Sequence, residues 1–84
     1  METADVLVDL GNCLIKKGKY RQSILFLSKA ASYAETLDIL NGIGYAHECL
    51  DELDAALSAY QKSVRIRHSL NALNGIIRIQ CRKG

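Results

Sequence analysis

The chain has 84 residues, of which 49% are hydrophobic and 24% charged, and this composition is typical of one small globular domain. Its net charge of +2 is too small to argue for binding to nucleic acid or to a membrane surface. Residues 1–5 are acidic and lack the apolar core of a secretory leader, and no stretch is long enough to span a membrane, so we expect a cytoplasmic protein without membrane insertion.

An internal repeat with a period of 33 residues organises the chain. The string Leu-Asn-Gly-Ile at residues 40–43 returns at residues 73–76, and Leu-Val-Asp-Leu at residues 7–10 precedes it by the same distance. A period of this size indicates one supersecondary unit stacked on copies of itself. It predicts a single domain over residues 1–84, with a first unit over about 4–36, a second over about 37–69 and a capping helix over about 70–83.

The first unit is predicted to form two amphipathic helices, because its apolar residues recur at intervals of three and four. The apolar stripe of the first helix consists of Leu7, Leu10 and Leu14. The stripe of the second helix consists of Tyr20, Ile24, Leu27 and Ala31. The polar segment Lys17-Gly18-Lys19 separates them and predicts a tight turn, so the two helices should run antiparallel.

The second unit repeats this pattern. Its stripes are Leu40, Ile43 and His47 on the first helix, and Leu53, Leu57, Tyr60 and Val64 on the second. The turn between them is Leu50-Asp51-Glu52. His47 is predicted to pack between helices rather than to act as a base or ligand, because Glu48 and Cys49 point elsewhere on the helix. His68 is predicted to be a solvated turn residue.

Residues 71–83 return to the first-helix pattern. Ile77, however, occupies the position at which the earlier units have the small residues Gly11 and Gly44. A bulky side chain there would push a following helix away. This segment is therefore predicted to be a cap rather than the start of a third complete unit.

Both units resemble the tetratricopeptide repeat. The first runs Leu7-x2-Leu10-Gly11-x2-Leu14, then Ser23-x3-Leu27 and Ala30; the second runs Leu40-x2-Ile43-Gly44-x2-His47, then Ala56-x3-Tyr60 and Ser63. The resemblance implies an all-α, right-handed solenoid of five helices that binds other proteins and is not an enzyme. The family repeat is usually about 34 residues long and often ends in proline, whereas this chain has no proline. Ankyrin repeats share the 33-residue period, but their Thr-Pro-Leu-His signature is absent.

No pattern typical of catalysis, a metal or a cofactor occurs in the sequence. There is no phosphate-binding glycine loop, no pair of carboxylates and no nucleophile motif, and no predicted strand precedes Gly42-Ile43-Gly44. Cys13, Cys49 and Cys81 are odd in number and form no Cys-x-x-Cys, so they are predicted to be reduced thiols rather than disulfides or zinc ligands. We expect no cofactor.

The resemblance also implies a groove, lined by the first helix of each unit, that holds a partner peptide. Carried over through the repeat register, its lining is predicted to be Asp5, Val8, Asp9 and Asn12, then Asn41, Gly42, Tyr45 and Cys49, and finally Asn74, Gly75, Arg78 and Arg82. Amide side chains suit this role because they donate to and accept from a peptide backbone at once. With acidic residues at one end and arginines at the other, the ligand's acidic part should lie beside the cap.

Two details qualify this groove. Gly42 and Gly75 lie inside predicted helices, where a glycine costs about 1 kcal/mol relative to alanine, so each should serve either close helix packing or access of a ligand to the backbone. A carboxylate clamp like that of chaperone-binding family members is not expected. Only Asn12 matches it, and the other four positions hold Val8, Gly42, Asn71 and Gly75.

Charged residues cluster at the turns with alternating sign. The clusters are Lys16, Lys17, Lys19 and Arg21; Asp51, Glu52 and Asp54; and Arg82 and Lys83. Stacking should place them side by side, where they neutralise one another at a solvated edge. The same interruption weighs against nucleic acid, as does the location of Tyr20, Phe26 and Tyr60 on second helices rather than along the groove.

Self-association is the alternative to peptide binding. Val6 and Cys13 begin a column that continues as Ile39, Ala46, Ala72 and Ile79 and that should pack on the preceding helix. The first unit has no preceding helix, Ile76 and Ile77 have no following one, and Leu25 and Phe26 add apolar area on an outer helix. Large exposed apolar patches are uncommon on monomers, so these residues predict a homo-oligomer or docking onto a partner.

Overall fold

The computed structural model describes residues 4–84, which form five α-helices and no strand. The helices are α1 (Ala4–Lys16), α2 (Tyr20–Tyr33), α3 (Leu37–Cys49), α4 (Leu53–Ile66) and α5 (Leu70–Lys83). The all-α class and the five-helix solenoid predicted from the repeats are confirmed. Part of the acidic N-terminal segment, residues 1–3, lies outside the described residues. None of the five helices is both long and apolar enough to cross a membrane.

The two tight turns have the same backbone structure, 33 residues apart. Gly18 has φ = +78° and Asp51 has φ = +63°, which places both in the left-handed region. In the first turn the amide of Lys19 donates to the carbonyl of Leu14, and in the second that of Glu52 donates to that of His47, each at 2.9 Å. A left-handed residue directly after a helix ends it and reverses the chain.

The links that precede α3 and α5, which are three residues long like the turns, end at side-chain caps that also follow the repeat. Thr36 precedes α3 and accepts from the amide of Ile39 at 3.3 Å, and Ser69 precedes α5 and accepts from the amide of Ala72 at 3.2 Å. A hydroxyl at this position satisfies one of the amides left free at a helix start. α3 and α5 therefore begin at fixed residues.

The helices pack in two layers. α1 packs on α2 and α3 on α4, while α3 also contacts α2 and α5 contacts α4. α1, α3 and α5 touch in sequence, whereas α2 and α4 do not contact each other within residues 4–84. Because the inner helices lie closer together than the outer ones, the exposed face of the inner layer is concave.

The core consists of two clusters, one for each inter-repeat contact. The first contains Leu7, Leu27, Ala30 and Ile39, and the second Ala56, Tyr60, Ala72 and Ile79. As predicted for units that have a predecessor, Ile39, Ala46, Ala72 and Ile79 are buried, whereas Cys13 is exposed and Val6 is 46% exposed.

Several predicted positions are wrong in detail. Leu10 is 43% exposed, because the buried stripe of α1 is rotated towards Val8 and Ile15. For the same reason Val8 packs against the first cluster rather than facing a groove. Phe26 also packs against the first cluster, and Ile76 against the second, so each is partly covered within the described chain.

The charge clusters meet at one edge as predicted. Arg21 pairs with Glu52 at 3.1 Å, and the carboxylates of Asp51 and Asp54 pair with Arg82 and Lys83. These groups are largely exposed, so each pair contributes about 0 to 1 kcal/mol. Their main effect is to leave this edge without a continuous basic stripe.

Candidate functional site

A cleft of about 400 Å³ opens on the concave face. Three inner helices and one residue of α4 supply its lining, which consists of Asn12, Ile15, Asp38, Asn41, Gly42, Tyr45, Tyr60, Asn71, Asn74 and Arg78. The helices present these side chains at nearly the same register, so positions 12, 45 and 78 follow one another across the layer, as do positions 38 and 71. The structure thus brings together six residues assigned to a groove from sequence: Asn12, Asn41, Gly42, Tyr45, Asn74 and Arg78.

The other assigned residues do not line this cleft. Asp5 and Asp9 are exposed on α1, outside it. Cys49 is exposed at the end of α3, where its thiol group raises the pKa of the nearby Tyr45. Arg82 donates to the backbone carbonyl of Glu48 at 3.3 Å and pairs with the carboxylate of Asp51.

Four lining residues were missed by the groove assignment: Ile15, Asp38, Tyr60 and Asn71. A signal existed for Asp38 and Asn71, because they occupy the register position of Asp5. No comparable signal existed for Tyr60, which belongs to an outer helix. It reaches the cleft because Gly44 and Gly75 leave room for its ring: a methyl group added at either glycine would lie 2.9 or 2.6 Å from it.

The helical glycines serve close packing. A methyl group at Gly42 would lie 2.9 Å from a methyl carbon of Leu27, and one at Gly75 would overlap the ring of Tyr60. Contacts below 3.0 Å require a shift of the neighbouring side chain, and packed interiors resist such shifts. Gly42 additionally borders the cleft, whereas Gly75 is buried.

Arg78 is held by a charged network below the cleft. Its Nε and Nη2 donate to the carboxylate of Glu48 at 2.9 and 3.0 Å, and the Tyr60 hydroxyl donates to the same carboxylate at 3.1 Å. Glu48 is only 8% exposed. The hydrogen bond from Arg78 lowers the pKa of Glu48 despite burial, and burial raises the pKa of Tyr60.

This network overturns the predicted basic end of the groove. The positive charge of Arg78 is paired with Glu48, a residue that the groove assignment did not include. Arg82 is likewise paired, with Asp51. The two arginines therefore do not form a free cationic end that would attract the acidic part of a ligand.

Two acceptors of the cleft remain without a partner. The carboxylate of Asp38 forms no ion pair or hydrogen bond within residues 4–84. The side-chain oxygen of Asn41 is buried and has no hydrogen-bond partner in the same part of the chain. A ligand that donates hydrogen bonds would pair with the carboxylate of Asp38, which is exposed.

His47 lies outside the cleft and has a structural partner. Its Nδ1 is 2.9 Å from a carboxylate oxygen of Glu52, which also pairs with Arg21. The imidazole is 20% exposed, and its hydrogen bond lowers the pKa of Glu52. The carboxylate partner comes from the following turn, which spacing along one helix could not indicate. The Arg21–Glu52 pair joins α2 to the turn before α4.

Comparison with known proteins identifies the fold. Residues 4–36 match the family model of the tetratricopeptide repeat. No curated protein matches the chain. The resemblance seen in the sequence is confirmed for the first unit, which belongs to the tetratricopeptide repeat family. Repeats of this kind generally mediate protein–protein interactions and are typically not catalytic.

Proposed function

We propose that this protein is an interaction module that binds an extended segment of a partner protein in the cleft between α1, α3 and α5. The observation that carries the proposal is a convergence of carboxamides from all three inner helices. They are Asn12, Asn41, Asn71 and Asn74. Each can donate one hydrogen bond and accept another, which is what an unpaired peptide backbone requires.

The form of the cleft supports the same function. Its volume of about 400 Å³ lies within the range of about 300 to 1,000 Å³ that is usual for binding pockets. Its side chains stand on helices whose packing is fixed by Leu27 and Tyr60 against glycines. A site built on rigid helices pays little for ordering when a ligand binds.

The test uses random dodecapeptides displayed on phage, selected on the folded protein. Affinities of the recovered peptides are then measured by fluorescence anisotropy for the wild type and for a variant with both Asn41→Ala and Asn74→Ala. The control carries Gln61→Ala and Gln80→Ala, which removes two exposed carboxamides outside the cleft. We expect the asparagine variant to lose about tenfold or more in affinity, and the control to stay within about twofold.

Two results would overturn this function. Either no peptide is recovered, or the recovered peptides bind the asparagine variant as tightly as the wild type. Circular dichroism of both variants must show wild-type helicity, so that a loss of affinity is not a loss of folding.

Self-association is a second candidate function, favoured by exposed apolar side chains on α5. Leu70 is 76% exposed and Ile77 is 56% exposed, and both belong to the last helix of the solenoid. Packing this helix against a second copy would remove them from water. Sedimentation equilibrium at about 100 μM tests this: a dimer that becomes a monomer on Leu70→Lys and Ile77→Lys supports it, and a monomeric wild type contradicts it.

A further inference from the structure

The charges around the cleft indicate which kind of segment it accepts. Of the residues that line it, only Asp38 and Arg78 carry a charge. Arg78 is neutralised by Glu48 at 2.9 Å, whereas Asp38 has no ionic partner within residues 4–84. The net electrostatic character of the cleft is therefore negative, although the chain as a whole carries +2.

Two further carboxylates belong to the inner layer of helices. Asp5 and Asp9 lie exposed on α1, the neighbouring helix of the inner layer, and neither forms an ion pair within the described chain. Asp5 occupies the same repeat position as Asp38. Charges within about 8 to 10 Å of a site are felt at physiological ionic strength, so local groups count for more than the net charge of the whole chain.

Neutral groups in the cleft favour a cation as well. The exposed carboxamides of Asn12, Asn71 and Asn74 offer oxygen acceptors in the same cleft. The ring of Tyr45, which is 43% exposed, offers a face of negative electrostatic potential to a positive group. Ammonium and guanidinium groups are donors without acceptors, and guanidinium presents five N–H groups in a planar fork.

We infer that the cleft selects a partner segment carrying a lysine or arginine side chain, which pairs with Asp38 beside the asparagines and Tyr45. This inference rests on the proposed binding function and makes it specific. It gives up one part of the polarity suggested by the sequence, in which the acidic part of a ligand lay beside α5. That part is lost because Arg78 and Arg82 are paired within the protein.

The experiment is a thermodynamic cycle on peptides that depend on Asn41 and Asn74 for binding. Each recovered dodecapeptide is synthesised twice, once as selected and once with its lysine or arginine replaced by glutamine. Both are measured on the wild type, on Asp38→Asn and on the control Asp54→Asn. Asp54 carries the same charge but lies at the edge beside Lys83, outside the cleft.

We expect the selected peptides to be enriched in basic residues and to lose about fivefold in affinity on either change, Asp38→Asn or lysine/arginine to glutamine, with no further loss when both are made. Asp54→Asn should leave the affinity unchanged. Peptides that depend on the asparagines but contain no basic residue, or an Asp38→Asn variant that behaves like Asp54→Asn, would overturn the charge inference and leave the cleft function standing. If no peptide depends on the asparagines, the cleft function fails and this inference fails with it.

Discussion

In two places a side chain from an outer helix packs between two inner helices, Leu27 in the first and Tyr60 in the second. These two contacts, here called joints, have equivalent positions in the repeat but differ in chemistry. In the first joint, Leu27 of α2 fills the space between α1 and α3. A methyl group at Gly11 would lie 2.6 Å from Leu27, and Ile15 adds a further apolar side chain near Gly42. The side chains of Leu27 and Ile15 are hydrocarbon, so burial and close packing are what they contribute to this contact.

In the second joint, Tyr60 of α4 takes the position of Leu27, and Gly44 and Gly75 take those of Gly11 and Gly42. The ring fills the same space, but its hydroxyl extends further and donates to Glu48, the equivalent of Ile15. Arg78 completes the network from α5.

The comparison shows that the two joints have the same space between their helices but fill it with side chains of different chemistry. Glycine on both neighbouring helices makes room for one large side chain from the outer helix in each joint. Whether that side chain is apolar or polar then decides whether the joint also carries directional bonds. Only the second joint does, and those bonds are what hold Arg78 against Glu48 at the border of the cleft.

The largest expected effect on stability comes from removing the large side chain at the centre of the first joint. Leu27 is fully buried, so Leu27→Ala should lower the free energy of unfolding by about 3 kcal/mol through lost burial and the cavity left behind. Urea denaturation followed by circular dichroism measures it. Leu25→Ala, two residues away and 65% exposed, is the matched control and should change stability by less than about 0.5 kcal/mol. Equal losses of stability for both variants would contradict the packing role given to Leu27 in the first joint.

Exchanging the two central residues should sharpen the contrast between the joints. Leu27→Tyr forces a larger ring against Gly11 and Gly42 and sets its hydroxyl beside Ile15, where the first joint offers no charged acceptor, so it should cost about 2 kcal/mol or more. Tyr60→Leu removes one hydrogen bond and some packing and should cost about half as much. If the two changes are equally costly in urea denaturation, the joints are not chemically distinct.

Acid should weaken the second joint before the first. The folded pKa of Glu48 lies below its ordinary value because Arg78 and Tyr60 donate to the carboxylate. A lowered folded pKa gives stability that is present above the unfolded pKa of about 4.5 and is lost as the pH falls through the folded pKa. Amide signals of α5 in NMR spectra should therefore broaden or shift below about pH 4.5 before those of α1.

Glu48→Gln provides the check on this acid effect. It should be less stable than the wild type at pH 7, by about 1 kcal/mol, and should lose less stability on acidification. The residual acid dependence should come in part from Glu52, whose pKa is also lowered, mainly by His47. Glu35→Gln, at an exposed carboxylate 3.9 Å from Lys62, should follow the wild-type profile. An unchanged pH profile for Glu48→Gln would show that the network contributes nothing.

The smallest effect is expected at two buried hydroxyls. Ser23 and Ser63 are fully buried, and neither hydroxyl has a hydrogen-bond partner within the described chain. The other repeat has alanine at each of these positions, Ala56 and Ala30. Ser23→Ala and Ser63→Ala should therefore leave stability unchanged or raise it by up to about 1 kcal/mol, because an unpaired buried hydroxyl is costly. A loss of more than about 1 kcal/mol in thermal denaturation would show that these hydroxyls are satisfied.

The sequence by itself determined the helices and their order. The spacing of three and four, the polar turns at Gly18 and Asp51 and the 33-residue period act over short distances along the chain, so they can be read without a fold. They also identified the small positions Gly11 and Gly44, because a period aligns equivalent residues. The same register placed Asn12, Asn41 and Asn74 on helices that face one another, and the structure brings them into one cleft.

Only the tertiary structure decided how the side chains pair. Glu48 meets Arg78 across 30 positions of the chain, and Tyr60 reaches the inner layer only because two glycines on neighbouring helices lack side chains. A helical period defines which face a residue occupies to within a fraction of a turn, and this is too coarse to predict a hydrogen bond. Leu10 shows the same limit, since a small rotation of α1 exposes it and packs Val8 against the core instead. The electrostatic character of the cleft depends on those pairings, so it became visible only once the helices were packed.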